Sequence, residues 1–199
     1  MNRKRKDRKY QANIQGRDNS PFVKRPYRLG QHGKNTKRKV SIYGERLRDC
    51  QLLRHYYNVS ENQFKLTVYR GLKNKALPPD VAFLALLESR LDQVVSKLGF
   101  APSIFSARQL VNHKHFLVNG KSVNIPSYTV QPNDIVSVRV KSQNLNIIKV
   151  CAEKNSISLP AYLRRIDNIS GTLLRMPENK NEIPFPFAIK PTSVIEKYS

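Results

Sequence analysis

The sequence predicts an α+β protein with a basic extended N-terminal arm, a run of helices, and a small unit of two helices and an antiparallel sheet. Three observations predict it. Residues 1–40 hold 14 of the 36 Lys and Arg residues and only two acids, Asp7 and Asp18. Apolar residues recur at helical spacing from Ser41 to Leu98. An Asn119-Gly120 pair then separates Phe116-Leu117-Val118 from Lys121-Ser122-Val123, the strongest two-residue hairpin signal.

In the arm, Arg3, Lys4, Arg5, Lys6, Arg8 and Lys9 form a like-charge run that cannot fold alone and suits phosphate contacts. Pro21, Pro26, Gly30 and Gly33 interrupt the remainder, so the arm is expected to order on a partner. From Ser41 a helix is expected, with Tyr43, Leu47, Cys50 or Leu53, and Tyr57 on one stripe. Arg46, Arg48 and Arg54 form its basic back, and Arg46 is a phosphate-contact candidate. Asn58-Val59 ends this helix, and Ser60-Glu61-Asn62-Gln63 has capping-box spacing for a second one through Phe64, Val68 and Leu72. Pro78-Pro79 closes that helical run.

A third helix should start at Asp80 as N-cap and run through Phe83, Leu87, Leu91 and Val95 to Gly99. On a continuous helix Arg90 and Asp92, two residues apart, point away from each other, and each is expected to pair elsewhere or cap a neighbouring turn. Ser103 caps a short helix with Ala107, Leu110 and Val111 inward and Arg108, Gln109 and Asn112 outward. After the hairpin, a turn at Asn133-Asp134 leads into Ile135, Val136, Val138 and Val140, a strand that can pair back onto it. Beyond residue 150, prolines divide short apolar segments, which fits hairpins and turns better than long helices.

A net charge of +22 makes a polyanion, and nucleic acid by default, the expected partner. The two cysteines, Cys50 and Cys151, form no CxxC pair, so a disulfide framework and a cysteine zinc site have no support. The apolar run Val81–Leu87 is far too short for a bilayer, and the basic N-terminal stretch lacks a secretory signal's apolar core. The chain is therefore expected to be soluble, unsecreted and in a reducing compartment. No phosphate-binding loop, HExxH or GxSxG occurs, which leaves nucleotide hydrolysis and the common hydrolytic chemistries without a basis. His113 and His115 lack a third ligand at zinc spacing and read as histidines leading into a strand.

Arg108, Gln109, His113, Lys114, His115 and Lys121 offer cationic, imidazole and amide groups over a small surface that suits structured RNA. Charge alone does not separate this from an ordinary solvated face. Tyr27, Gly30, Gln31, His32 and Gly33 in RPYRLGQHG join flexible backbone to an aromatic ring, an amide and an imidazole. That set can stack on bases and approach phosphate, or be a plain loop.

Three segments together carry a resemblance: RPYRLGQHG, LLESRLDQVVSKLGFAPSIFSARQLVNHKHFLVNGKSVNIPSY and RMPENKNEIPFPFAIKPTSVIEKYS. The chain resembles the bacterial-type small-subunit ribosomal protein four family nearly end to end. The resemblance implies a structural, noncatalytic protein without cofactor or metal. It would bind the 5′ domain of small-subunit ribosomal RNA, start subunit assembly and affect translational accuracy. It also implies contacts with ribosomal proteins five and twelve, no membrane or small-molecule partner, no homo-oligomer in the ribosome, and a cytoplasmic bacterial-type or organellar ribosome. Its domain plan is an arm over 1–41, a helical domain over 42–85 and 186–199, and an inserted domain over 86–185 containing the RNA-binding module at about 88–150. The RNA-facing residues carried over are Tyr27, Gly30, Gln31, His32 and Gly33 in the arm and Ser106, Arg108, Gln109, His113 and Lys121 in the module. With no cysteine before Cys50, the zinc-free type is implied. Arg28-Leu29 replaces a frequent Pro-Pro, which should loosen the local backbone.

The same module also serves RNA-modifying enzymes such as pseudouridine synthases, synthetase appendages, and ribosome-rescue or heat-shock RNA binders. The enzymes need a separate catalytic domain, for which the Pro-interrupted stretch 150–199 is too short. The rescue and heat-shock binders need not carry the RPYRLGQHG arm.

Overall fold

The structure, a computed structural model, describes residues 3–16, 18–35, 40–153 and 159–198, with backbone alone at 3–5, 152 and 153. It divides into two compact units, Met1–Val68 with Pro184–Ser199, and Tyr69–Ile183. No helix among the described residues is long and apolar enough to cross a membrane.

The first unit opens with Arg3–Tyr10 (α1) and one turn of helix at Pro21–Lys24 (α2). This corrects the expectation of an extended arm over these residues. The charge run is followed directly by Tyr10, Ala12 and Ile14, which are buried against Leu52. Average charge hid three well-placed apolar side chains whose burial offsets the cost of ordering the helix. Asp7 holds the return of the chain, its carbonyl accepting from Ala12 N at 3.1 Å and its carboxylate from Ser20 Oγ at 2.7 Å.

Ser41 Oγ accepts from Gly44 N and starts Ile42–Tyr56 (α3), which ends where Asn58 turns left-handed at φ 51°. Its buried side chains are Cys50, Leu52 and Leu53, whereas Tyr43, expected on the apolar stripe, is exposed in the first turn. Ser60 then accepts from Gln63 N and opens Glu61–Lys73 (α4), burying Phe64 and Val68. The C-terminal helix Pro191–Tyr198 is labelled α9, four helices and five strands of the second unit intervening, and it packs on α3 with Val194 buried. Asp49 accepts from the backbone of Lys190 and the side chain of Ser193, which places a carboxylate at the amino end of α9. Arg46 pairs with Glu196 at 2.8 Å, and Tyr198 donates to Glu61 at 2.6 Å. Tyr56, Tyr57, Phe185 and Phe187 meet edge-on or tilted, with centroids 5.0–6.3 Å apart.

In the second unit the expected third helix is two helices, Pro79–Glu88 (α5) and Leu91–Lys97 (α6). Pro78 rather than Asp80 occupies the N-cap of α5. The break at Ser89-Arg90 has a tertiary cause. Leu91 N donates to Tyr128 O and Asp92 N to Pro126 O, at 2.9 and 3.2 Å, while Val130 N donates to Ser89 O at 2.8 Å. Those bonds take the amides that would continue the helix, and Arg90 becomes extended (φ −64°, ψ 138°).

Released from helical geometry, Arg90 turns its guanidinium onto Asp92, Nε to Oδ1 at 3.1 Å and an Nη to Oδ2 at 2.8 Å. The expectation that these two residues pair elsewhere was wrong because it assumed an unbroken helix. Both are buried, as is Glu88, which accepts from Lys97 and from Tyr162.

Ile104–Asn112 (α7), capped by Ser103, precedes a five-stranded antiparallel sheet. Its strands are Phe116–Val118 (β1), Lys121–Ser122 (β2), Ile135–Val138 (β3), Leu163–Asp167 (β4) and Ser170–Leu173 (β5), in the order β2-β1-β3-β5-β4. The hairpin turn has Asn119 at φ 49° and Gly120 at φ 78°, a pair of left-handed residues that matches strand twist. Asn119 also bonds Asp134 and Ile135 N, which locks the turn to the start of β3. A helix not foreseen, Asn146–Glu153 (α8), follows β3. The expected hairpin character beyond residue 150 is realised as β4–β5.

Replacing Asp92 with Ala leaves the Arg90 guanidinium buried and uncompensated. It should lower the unfolding free energy by about 3–5 kcal/mol in urea titration, whereas the double change to apolar residues of similar volume should recover most of the loss.

Candidate nucleic-acid interface

Two cationic surfaces stand out, one in each unit. In the first, α1 is fixed to α3 through a chain of polar contacts. Lys6 Nζ lies 3.2 Å from His55 Nδ1, and because lysine only donates, Nδ1 must accept and Nε2 carries the ring proton. That proton faces the Tyr10 hydroxyl at 3.4 Å, which in turn donates to Gln51. Arg48 forks onto Tyr10 O at 2.9 and 3.2 Å. Burial first, then the charges of Lys6, Arg54 and Lys9, depress the His55 pKa to about 4, so the ring is neutral near pH 7.

From α1, Arg8 reaches the following loop. Its Nε donates to Tyr27 O at 3.2 Å, an Nη donates to Arg28 O at 3.1 Å, and its guanidinium lies 4.9 Å from the Tyr27 ring centroid. Lys34 approaches the same ring at 5.4 Å. Gly30, at φ 101°, starts a turn closed by Gly33 N to Gly30 O at 3.1 Å. Gly33 is held against the chain so closely that a Cβ there would fall 2.1 Å from Arg28 O. Lys9, Arg28, Leu29, Gly30, Gln31, His32 and Gly33 line a cleft of about 360 Å³.

In the second unit α7 buries Ile104, Ala107, Leu110 and Val111 and leaves Gln109 exposed and Arg108 half-buried. The Arg108 charge is felt by Asp92, whose carboxyl pKa is raised by burial while Arg90 and Arg108 oppose the rise. Ser106 is half-buried within the cap, its backbone N donating to Ser103 Oγ at 3.3 Å. His113, exposed at the C-terminus of α7, stacks with His115 at 6.0 Å. His115 bonds Ser142 Oγ at 2.8 Å, and burial, His113 and Arg139 together lower its pKa. Lys121 opens β2, exposed at the sheet edge. Among the described residues no group of three or more His, Cys, Asp or Glu could hold a metal.

The expected site residues thus fall into two sets. Tyr27, Gly30, Gln31, His32 and Gly33 are brought together on one loop, with Arg8 and Lys34 lying 4.9 and 5.4 Å from the Tyr27 ring centroid. Ser106, Arg108, Gln109, His113 and Lys121 follow one another along α7 and the hairpin. Arg46 and Lys6 already serve internal contacts with Glu196 and His55. The side chains of Arg3, Lys4 and Arg5 lie outside the described residues. Sequence reasoning placed Arg8 and Lys9 only in a like-charge run suited to phosphate and Arg28-Leu29 only as a backbone feature, and assigned none of the four to this cleft. Only the phase of α1 separates Arg8 and Lys9 from their neighbours, and that helix was not anticipated.

The depressed His55 pKa has a sign. The unfolded imidazole takes up a proton near pH 6.5, well before the docked ring does, so stability is lost as pH falls from about 6.5 toward 4. Amide exchange in α1, corrected for its intrinsic pH dependence, should show progressive loss of protection over that interval. His55→Gln should remove the dependence.

Comparison with known proteins bears on both units. A family model described as the ribosomal protein S4/S9 N-terminal domain matches residues 2–88, and the S4 domain matches residues 89–136. The chain is 43% identical to the small ribosomal subunit protein uS4 of Phenylobacterium zucineum, covering 97% of this chain and 94% of that one. It is 45% identical to the uS4 protein of Brevibacillus brevis, over 89% and 87% of the two chains, and 46% identical to that of Staphylococcus aureus, over 88% and 86%. Identity at this level over nearly the whole length, through both cationic surfaces, places the chain in the uS4 family of small-subunit ribosomal proteins.

Proposed function

We propose that this chain is a structural, noncatalytic component of the small ribosomal subunit that binds small-subunit ribosomal RNA. The observation that carries the reading is the pair of family matches. They cover residues 2–136 in order, and each falls on one cationic surface: the cleft loop, and α7 with its hairpin. Arg108 and Lys121 supply phosphate contacts there, and Gln109 and Ser106 can reach ribose hydroxyls or base edges.

At finer grain, the RNA is the 5′ domain and the protein is an early binder that nucleates assembly. Its protein neighbours are ribosomal proteins five and twelve, and through the former it affects decoding accuracy. The chain works in a cytoplasmic ribosome. The division into a 1–41 arm, a helical domain over 42–85 and 186–199, and an inserted 86–185 domain is supported by a contiguous compact unit that interrupts a discontinuous one.

Affinity for small-subunit RNA fragments should fall linearly on a log–log scale with salt. The loss should be about a thousandfold or more between roughly 50 and 200 mM if about six phosphates are neutralised. Arg108→Ala with Gln109→Ala should weaken binding by about 10- to 100-fold with an unchanged circular dichroism spectrum. Salt-independent binding, or equal affinity for unstructured RNA, would count against the reading.

A further inference from the structure

The cleft beside α1 differs in kind from a basic surface. At about 360 Å³ it holds roughly a dozen waters and sits at the lower end of small-molecule sites, far more space than one phosphate fills. It is also preorganised. Arg8 holds the carbonyls of Tyr27 and Arg28, the Gly30–Gly33 turn is closed by its own hydrogen bond, and Asn35 N donates to His32 O at 3.2 Å.

The lining combines three chemistries. Leu29, 39% exposed, offers an apolar contact, the Gln31 amide can both donate and accept, and Lys9 and Arg28 bring positive charge. An apolar surface, an amide edge and flanking cations match one nucleotide: its base face, its hydrogen-bonding edge and its phosphate. A stacked base within a duplex presents no face to Leu29, so the nucleotide must be unstacked. Tyr27, with Arg8 and Lys34 on its ring, supports the loop rather than competing for the base.

We infer that the cleft lined by Lys9, Arg28, Leu29 and Gln31 receives a single nucleotide turned out of the RNA stack. This rests on the RNA-binding reading above, and it adds that the arm recognises a bulged or unpaired position rather than duplex backbone.

The first test needs no RNA. The isotope-labelled full chain is titrated at fixed ionic strength with each of the four nucleoside monophosphates, with ribose phosphate and inorganic phosphate as controls. At least one nucleotide should produce saturable shifts at Lys9 and Gly30–Gly33 where the controls do not, and Gln31→Ala should weaken it several-fold. Shifts reproduced by phosphate alone, or no nucleotide-dependent shifts on this loop, would overturn the inference.

The second test scans a fluorescent purine analogue through unpaired positions of a small-subunit RNA fragment. Binding should raise emission at one position as its base leaves the stack. Leu29→Ala with Gln31→Ala, both at exposed positions, should abolish that rise while weakening total binding less than about tenfold, since the other phosphate contacts remain. Tight RNA binding with no rise anywhere would sink the nucleotide site and leave the ribosomal reading intact. Nucleotide shifts on the loop without any RNA affinity would do the reverse.

Discussion

Charge imbalance is the constraint on which the rest of this molecule depends. With 36 cations and 14 carboxylates, most basic side chains have no acidic counterpart, and the chain must fold against its own repulsion. The carboxylates are placed where they matter most. Asp92 holds Arg90 at the helix break, Glu88 holds Lys97 beside Tyr162, and Glu61 gathers Arg54, Lys197 and Tyr198 where the C-terminal helix returns. These three acids thus sit at joints of the fold, and the excess of cations over carboxylates leaves most of the positive charge without an acid of its own. Structural economy and affinity for a polyanion are here one arrangement.

The two surfaces divide recognition along chemical lines. The α7 face presents side chains from a regular helix and hairpin, so it meets a partner chiefly with long cationic and amide groups. The arm instead offers backbone, since Gly30 takes a φ of 101° that side chains disfavour and Gly33 lies too close to Arg28 O to carry a Cβ. A helix can only decorate a surface, whereas a glycine turn pinned by an arginine fork can enclose one.

Legibility in the sequence tracked how local the determining forces are. The Asn119-Gly120 turn, the Ser60 and Ser103 caps, and the inward face of α7 were all readable, because each depends on residues within a turn or two. The break between α5 and α6 was not. Its cause lies in the carbonyls of Pro126 and Tyr128, more than 30 residues downstream, and nothing between Leu87 and Leu91 announces it. The bidentate Arg90–Asp92 pair was misjudged for the same reason. Helix α1 escaped because its charge run looks disordered by composition, while the three apolar residues that dock it find their partner, Leu52, only in the folded unit. The cleft followed α1 into obscurity, since two of its cationic contributors, Arg8 as support and Lys9 as lining, cannot be sorted without knowing the helix phase.

The return of α9 onto α3 has a consequence for the order of events during synthesis. Glu61 and Tyr198 are 137 residues apart, and the first unit is assembled from both ends of the chain. The second unit, contiguous from Tyr69 to Ile183, can complete its contacts as soon as it has emerged, whereas the first must wait for the last helix to be made. During that interval the apolar face of α3 and the ring of Phe64 lack their final cover, and the nascent chain carries its most basic segment with its docking partner half-built. Translation itself therefore sets a clock on this unit, whose α3 face is covered only after Pro191–Tyr198 has been made.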